Sequence, residues 1–519
     1  MLIRGGTVLD GLGEPPKRSD VRLDGDRVSV VGPDLVAERG EQVVDADGQV
    51  VCPGFIDIHT HSDVSLWLHP PGTSKLAQGV TTEVTGNCGF SAFPLRRERR
   101  TAALAHLAGI GDDPVDPPWH DLDSYAAAME DRGIGINIAP LVGHGALRIA
   151  AGADRPGPAD PDRLSRVLEQ VLEQGAFGVS TGLTYSPSAY ADAGELEVLC
   201  RTVAAFDALY ATHGRSDILA GIDEIASVGE RTGARLQYSH LAINHPDRWG
   251  TADQVVGRLE AARARGVDIA ADVYPYDASS SALTQYLPDR LTRLIGPRLL
   301  DLSRDPAARR AAVSDIAAGW FDGTPWLWDR VRLARTDGLL GLAAGLTLAE
   351  AADQLGVSPA EVTLDLCAQG GHRPQVVLHY RVEADVQTFL AWEWAAMGSD
   401  GSAVPTDLPG RHLHPRFFGA SARLLGRYVR ECGLLTWPEA VRRMTSLPAD
   451  RLGLSDRGRL LAGAYADIVI LAPETVSDVA TFDDPHRLAV GINHVIVNGR
   501  TAWADCRTHE LAGKVLRHG

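Results

Sequence analysis

The sequence predicts an α/β fold: a (β/α)8 TIM-type barrel, with a small β-sandwich domain built from both termini and a small insertion domain. Three observations point there. From about residue 53 to 450, short apolar runs alternate with helical patterns, the signature of βα units and a parallel sheet. Both ends of the chain instead carry β-branched runs between Gly/Asp turns. Metal-ligand residue types also recur where successive strand runs end, as a barrel requires to build one site at its C-terminal face.

At the N-terminus, Leu2-Ile3, Gly6-Thr-Val-Leu9, Val21-Arg-Leu23 and Val28-Ser-Val-Val31 read as hairpins of a small sheet. Asp467-Ile-Val-Ile-Leu471 and His494-Val-Ile-Val-Asn-Gly499 repeat the style, so residues 1–52 and 451–519 are expected to form one sandwich. Within 53–450, strands are expected at 54–59, 81–87, 134–142, 175–181, 209–213, 235–239, 268–274 and 395–399. Helical patterns such as Pro161–Gln174 and Thr251–Arg265 fill the intervals, the latter capped by Thr251 or Asp253. Residues 283–341, rich in Arg, Asp, Pro and Trp, separate strands seven and eight. A structureless loop of that length is uncommon, so a small inserted domain over the barrel mouth is expected.

The most informative motif is His59-Thr60-His61, which closes the run Pro53-Gly-Phe-Ile-Asp-Ile58. Side chains two apart on a strand point to one side. Two imidazoles converging there make half of a zinc site. Cys88, His213, His240 and Asp400 also follow strand runs, in Gly86-Asn-Cys-Gly89, Leu209-Tyr-Ala-Thr-His213, Leu236-Gln-Tyr-Ser-His240 and Gly398-Ser-Asp-Gly401. Singly, a strand-end histidine is more often structural and a lone cysteine is usually a small buried hydrophobe. Their recurrence in this order argues for one site.

These segments resemble the amidohydrolase superfamily, and within it the N-acyl-D-amino-acid deacylase (D-aminoacylase) family. The resemblance covers nearly the whole chain. It includes Gln78-Gly-Val-Thr-Thr-Glu-Val-Thr-Gly-Asn-Cys-Gly-Phe90, Leu141-Val-Gly-His-Gly-Ala-Leu-Arg148, Asp272-Val-Tyr-Pro-Tyr-Asp-Ala-Ser-Ser280, His414-Pro-Arg416 and Gly463-Ala-Tyr-Ala-Asp-Ile-Val-Ile470. Gly-Asn-Cys-Gly is its specific part; His-x-His alone marks only the superfamily. The resemblance implies one tightly held Zn2+ on Cys88, His213 and His240, with His59, His61 and Asp400 around a second, weaker site. Zinc there would polarise an amide carbonyl and lower the pKa of water. Asp400 would take the water's proton and pass it to the departing amine. Arg416, helped by the hydroxyls of Tyr274 and Ser280, matches the position that holds the amino-acid carboxylate. His144 also fits the pattern, and a hydrogen-bonded structural role suits it best. Relatives tend to carry a basic residue two positions after the sixth-strand histidine, where this chain has Ala242. Neutral or apolar D side chains are therefore expected to be preferred over acidic ones.

Composition narrows the alternatives. Lys and Arg total 50, yet only Lys17, Lys75 and Lys514 are lysines. No Gly-rich loop ends in Gly-Lys-Ser/Thr, so a P-loop is unsupported, and a Schiff-base enzyme would have to rely on Lys75. Many superfamily members bridge two metals with a carboxylated mid-barrel lysine; Cys88 is the substitute here. That counts against a cyclic-amide hydrolase of the hydantoinase or dihydroorotase kind, and the full ligand set counts against a non-hydrolytic metal-binding scaffold. The net charge of −17 argues against nucleic-acid or anionic-membrane partners and leaves a small-molecule substrate. Six dispersed cysteines without CxxC spacing, a start without an apolar signal segment and no long apolar run predict a cytoplasmic enzyme. Gly178-Val-Ser-Thr-Gly182 matches the serine-hydrolase elbow, but Pro187 blocks the helix that the elbow needs, so Ser180 is expected in the fourth strand.

Overall fold

The computed structural model describes residues 1–321 and 323–519; Asp322, within the expected insertion, lies outside the described residues. Each expected barrel run contains a strand: Phe55–Asp57, Val80–Thr85, Asn137–Pro140 continued by Val142–Gly143, Gly178–Gly182, Leu209–His213, Arg235–Tyr238, Ile269–Val273 and Ala395–Met397. Neighbours pair in parallel and in this order. Strands such as Val80–Thr85 and Ile269–Val273 are buried throughout, because the barrel interior covers one face and the helices the other. The third strand is interrupted: Asn137–Pro140 pairs with the second strand and Val142–Gly143 with the fourth. Pro140 has no N–H to carry the ladder on. The barrel closes at the site itself, where Thr60 bridges Gly401 and the Asp400 N–H donates to the His59 carbonyl at 2.8 Å.

The termini form one nine-stranded sheet, joined by the antiparallel ladder of Val50–Pro53 with Ile468–Leu471. Ile3, Val21, Val28, Val51, Ile468, Ile470 and Ile496 share its core. The expected sandwich is thus a single continuous sheet in its hydrogen bonds.

Between strands seven and eight, Ser279–Ala282, Val331–Arg335 and Gln375–Leu378 make an antiparallel sheet with Gln375–Leu378 in the middle. Helices Leu348–Leu355 and Pro359–Gly370, each opened by a capping box (Thr347 with Glu350, Ser358 with Glu361), pack with Leu283, Trp326, Leu333, Val376 and Tyr380 in one core. The inserted unit therefore continues past residue 341, because its central strand comes last in sequence. No described helix is long and apolar enough to cross a membrane.

Candidate active site

Three of the expected site residues sit on left-handed backbone: Cys88 at φ 54°, His240 at 34° and Asp400 at 52°. Such conformations disfavour side chains and persist only where surroundings enforce them. Around Cys88 the enforcement is visible. A Cβ on Gly86 would lie 2.0 Å from the Leu141 carbonyl, and one on Gly89 would press on Ser188 and the Gly182 nitrogen. The Ser180 hydroxyl accepts from the Gly89 N–H at 2.9 Å and donates to the Gly86 carbonyl. Ser180 thus braces the turn that presents Cys88 and is fully buried.

Around the thiol, the Cys88 Sγ lies 3.4 Å from His59 Nε2, 3.4 Å from His240 Nε2 and 3.9 Å from His213 Nδ1. His213 Nδ1 and His240 Nε2 are 2.9 Å apart. Two groups of convergent ligand atoms result among the described residues, His59/His61/Cys88 and Cys88/His213/His240. Ideal tetrahedral zinc distances place a thiolate and an imidazole nitrogen about 3.6 Å apart. The donor set and spacing therefore fit zinc, with Cys88 common to both groups and a coordination position left open in each. Asp400 borders the first group, its Oδ1 3.1 Å from His61 Nε2 and 3.7 Å from His59 Nε2.

Electrostatics support the same reading. Burial opposes ionisation of the Cys88 thiol, but the charges on His59 and His240 hold it well below the usual thiol range. Burial alone would make His59 and His61 poor bases; Asp272 and Cys88 raise the first well above its ordinary value, and Asp400 with Cys88 raises the second to about 9. Protons on these rings stand where a metal's charge would, and metal binding must expel them.

One supporting residue lacks an expected role. Asp272, nearly fully buried, accepts from the His240 N–H at 2.8 Å through one oxygen, and the same oxygen lies 3.0 Å from His59 Nδ1 as its ion-pair partner. It orients a ligand from each group. Its signal is its place at the end of the seventh strand in Asp272-Val-Tyr-Pro-Tyr276. Thr184 supports His213 likewise, 3.0 Å from its Nε2. His144 binds Glu195 at 2.7 Å, away from the ligand groups.

The three expected carboxylate-binding residues come together. Arg416 Nη1 lies 2.8 Å from Asp400 Oδ2, and its guanidinium stands 4.8 Å from the Tyr274 ring centroid. The Tyr274 hydroxyl is buried without a partner. Ser280 meets Arg416 through its backbone carbonyl, at 3.0 Å from Nη2, rather than through the expected hydroxyl. Ser280 belongs to the inserted sheet, where it pairs with Val377. A cleft of about 360 Å³ opens over His213, His240 and Asp400, walled by Ser279–Ser281, Tyr286, Trp320 and Arg381. Burial pushes the Asp400 carboxyl up, but Arg416 and His61 hold it well below the usual carboxylate range.

Comparison with known proteins agrees with this geometry. Residues 42–502 match the profile of the Amidohydrolase family. The chain is 37% identical to N-acyl-D-glutamate deacylase of Alcaligenes xylosoxydans xylosoxydans, covering 100% of this chain and 96% of that one. It is 34% identical to D-aminoacylase of the same organism, covering 99% and 97%. The crystal structure of N-acyl-D-glutamate deacylase from Bordetella bronchiseptica, complexed with zinc and a phosphonate mimic of the tetrahedral intermediate, superposes with a TM-score of 0.84 at 33% identity over 99% of both chains. With a barrel closed at its own ligands and a likeness that runs from end to end, the chain belongs to the amidohydrolase family.

Proposed function

We propose that this protein is a zinc-dependent hydrolase that cleaves the linear amide bond of N-acyl-D-amino acids. The observation that carries the reading is the pair of ligand groups sharing Cys88, with Asp400 and Arg416 at their edge. Cys88, His213 and His240 would hold the tight zinc, and His59 and His61, with Cys88 and Asp400, a second. Zinc bound there polarises an amide carbonyl and lowers the pKa of water.

The chain's own residues do the rest. Arg416 binds the α-carboxylate, and the unpartnered Tyr274 hydroxyl has a hydrogen bond to offer it. In the free protein Arg416 neutralises Asp400. A substrate carboxylate that draws Arg416 away leaves Asp400 a stronger base, in place to take the attacking water's proton and hand it to the amine. Asp272 keeps His59 and His240 in register. The inserted unit walls the cleft. Lys75 is buried between Asp57 and Glu83, 2.9 Å from each, so it supplies no bridging lysine of the cyclic-amide type. All six cysteines are free, which fits a cytoplasmic enzyme whose Cys88 must stay reduced.

The test is a panel of N-acetyl-D-amino acids, their L-enantiomers and hydantoins with the zinc-loaded protein. The reading expects cleavage confined to the D series; equal cleavage of the L series, or hydantoins alone, would contradict it.

A further inference from the structure

Among the described residues, one cation in the cleft is left over. Arg215 and Arg248 on its wall are answered by Glu224 at 2.9 Å and Asp217 at 3.0 Å, and Arg416 by Asp400 at 2.8 Å. Arg381 also lines the cleft, is half-buried, and makes no ion pair or hydrogen bond among the described residues. Its Nε is buried without a partner. In a chain of net charge −17, a guanidinium with no carboxylate partner among the described residues is unusual. A partly desolvated, unanswered cation costs stability, and a ligand that completes it accounts for its retention.

Its placement names the ligand's charge. The chain leaves the central strand of the inserted sheet at Leu378, buries Tyr380 in the inserted core and sets Arg381 over the ring of Tyr274, just after the seventh barrel strand. The Arg381 guanidinium lies 4.3 Å from the Tyr274 ring centroid, and that of Arg416 lies 4.8 Å from the same ring. Two like charges on one ring repel unless each meets an anion. Asp400 meets Arg416 in the free protein; nothing described meets Arg381.

We propose that Arg381 forms a second anion subsite, which selects D-amino acids whose side chain itself ends in a carboxylate. This rests on the deacylase reading, in which Arg416 takes the α-carboxylate. Arg381 supplies, from the inserted unit, the charge that Ala242 does not, and it reverses the preference for neutral side chains expected from that position. Arginine's planar fork suits a carboxylate bidentately.

N-acetyl-D-glutamate and N-acetyl-D-glutamine differ by one charge at nearly constant shape, so their kcat/KM ratio isolates the subsite. Measured on zinc-loaded protein, the wild type should favour the acid. Arg381→Gln should lower the acid-to-amide ratio at least about 30-fold, the usual scale for truncating one partner of a buried charge pair. Arg381→Lys should keep part of the preference. Calorimetric binding of free D-glutamate and D-glutamine reads the same subsite without turnover. If no N-acyl-D-amino acid is cleaved, the deacylase reading falls, and this binding pair still decides on Arg381: tighter D-glutamate binding that is lost in Arg381→Gln upholds the subsite. A ratio unchanged by Arg381→Gln, or a wild-type preference for the amide, would overturn it. An Arg381-dependent advantage for N-succinyl-D-alanine over N-acetyl-D-alanine, with none for D-glutamate, would place the subsite on the acyl side and overturn the side-chain assignment.

Discussion

Asp272→Asn probes the support of both ligand groups at once. One Asp272 oxygen accepts from the His240 N–H at 2.8 Å and lies 3.0 Å from His59 Nδ1, while the other accepts from Gln237 Nε2 at 3.2 Å. Three nitrogens face two acceptor atoms. Asparagine offers one acceptor and one donor at the same size, so at least one of them is left facing an N–H. Losing a charged hydrogen bond costs about 1.5–3 kcal/mol, and losing an outer partner of a ligating imidazole typically lowers metal affinity about 10–100-fold. An opposing effect comes from the proton. Asp272 helps to keep His59 protonated in the metal-free site, so its removal eases the proton's competition with metal. The signs differ, and pH separates them: the affinity deficit of Asp272→Asn should grow as pH rises and the competing proton is lost in both proteins. Zinc dissociation constants from chelator competition across neutral to alkaline pH measure this. A deficit of at least about tenfold at the alkaline end is expected. Affinity within about threefold of wild type there would refute the claim that Asp272 holds the ligands.

The other expectations touch the base, its neutralising partner and a structural cluster. Asp400→Asn keeps size and leaves Cys88, His213 and His240 intact, so zinc should remain in that group while turnover falls at least about 10²-fold; near-normal turnover would assign the proton transfers elsewhere. Arg416→Met removes the charge that depresses Asp400, so the acidic limb of kcat/KM for a carboxylate-free amide should move to higher pH; an unmoved limb would deny the coupling. Burial pushes the Glu195 carboxyl up, but His144 and Arg148 carry it down to about 2 from an ordinary 4.5. Its stabilisation is then complete above pH 4.5 and lost as pH falls toward 2. The Tm gap between wild type and Glu195→Gln should therefore narrow on acidification, and a constant gap would contradict the assignment.

Much of the barrel and the metal-ligand pattern is legible in the sequence, for one physical reason. Strand ends on one barrel face converge, so histidines, a cysteine and an aspartate that each close a strand run meet without any further information. What escapes is set by contacts across distant segments. Asp272 stands in a quoted motif, yet its role depends on a buried oxygen reaching the first and sixth strands together. The sequence suggests a role for the Ser280 hydroxyl, whereas it is the backbone carbonyl of Ser280, on a strand of the inserted sheet, that accepts from Arg416. The sequence pattern alone ends the inserted unit at 341, because Gln375–Leu378, its central strand, lies far along the chain from the strands it joins. Arg381 belongs to no motif and enters the cleft only because the chain returns to the barrel there. The apolar pattern of the third strand runs on without a break, although Pro140 marks its interruption.

The most direct test of the central claim is to titrate metal-free protein with zinc while following hydrolysis of an N-acetyl-D-amino acid, with Cys88→Ala alongside. The account predicts no activity without metal, activity restored by the first zinc held at Cys88, His213 and His240, and neither tight zinc nor activity in a folded Cys88→Ala protein. Full activity in metal-free Cys88→Ala protein would contradict it.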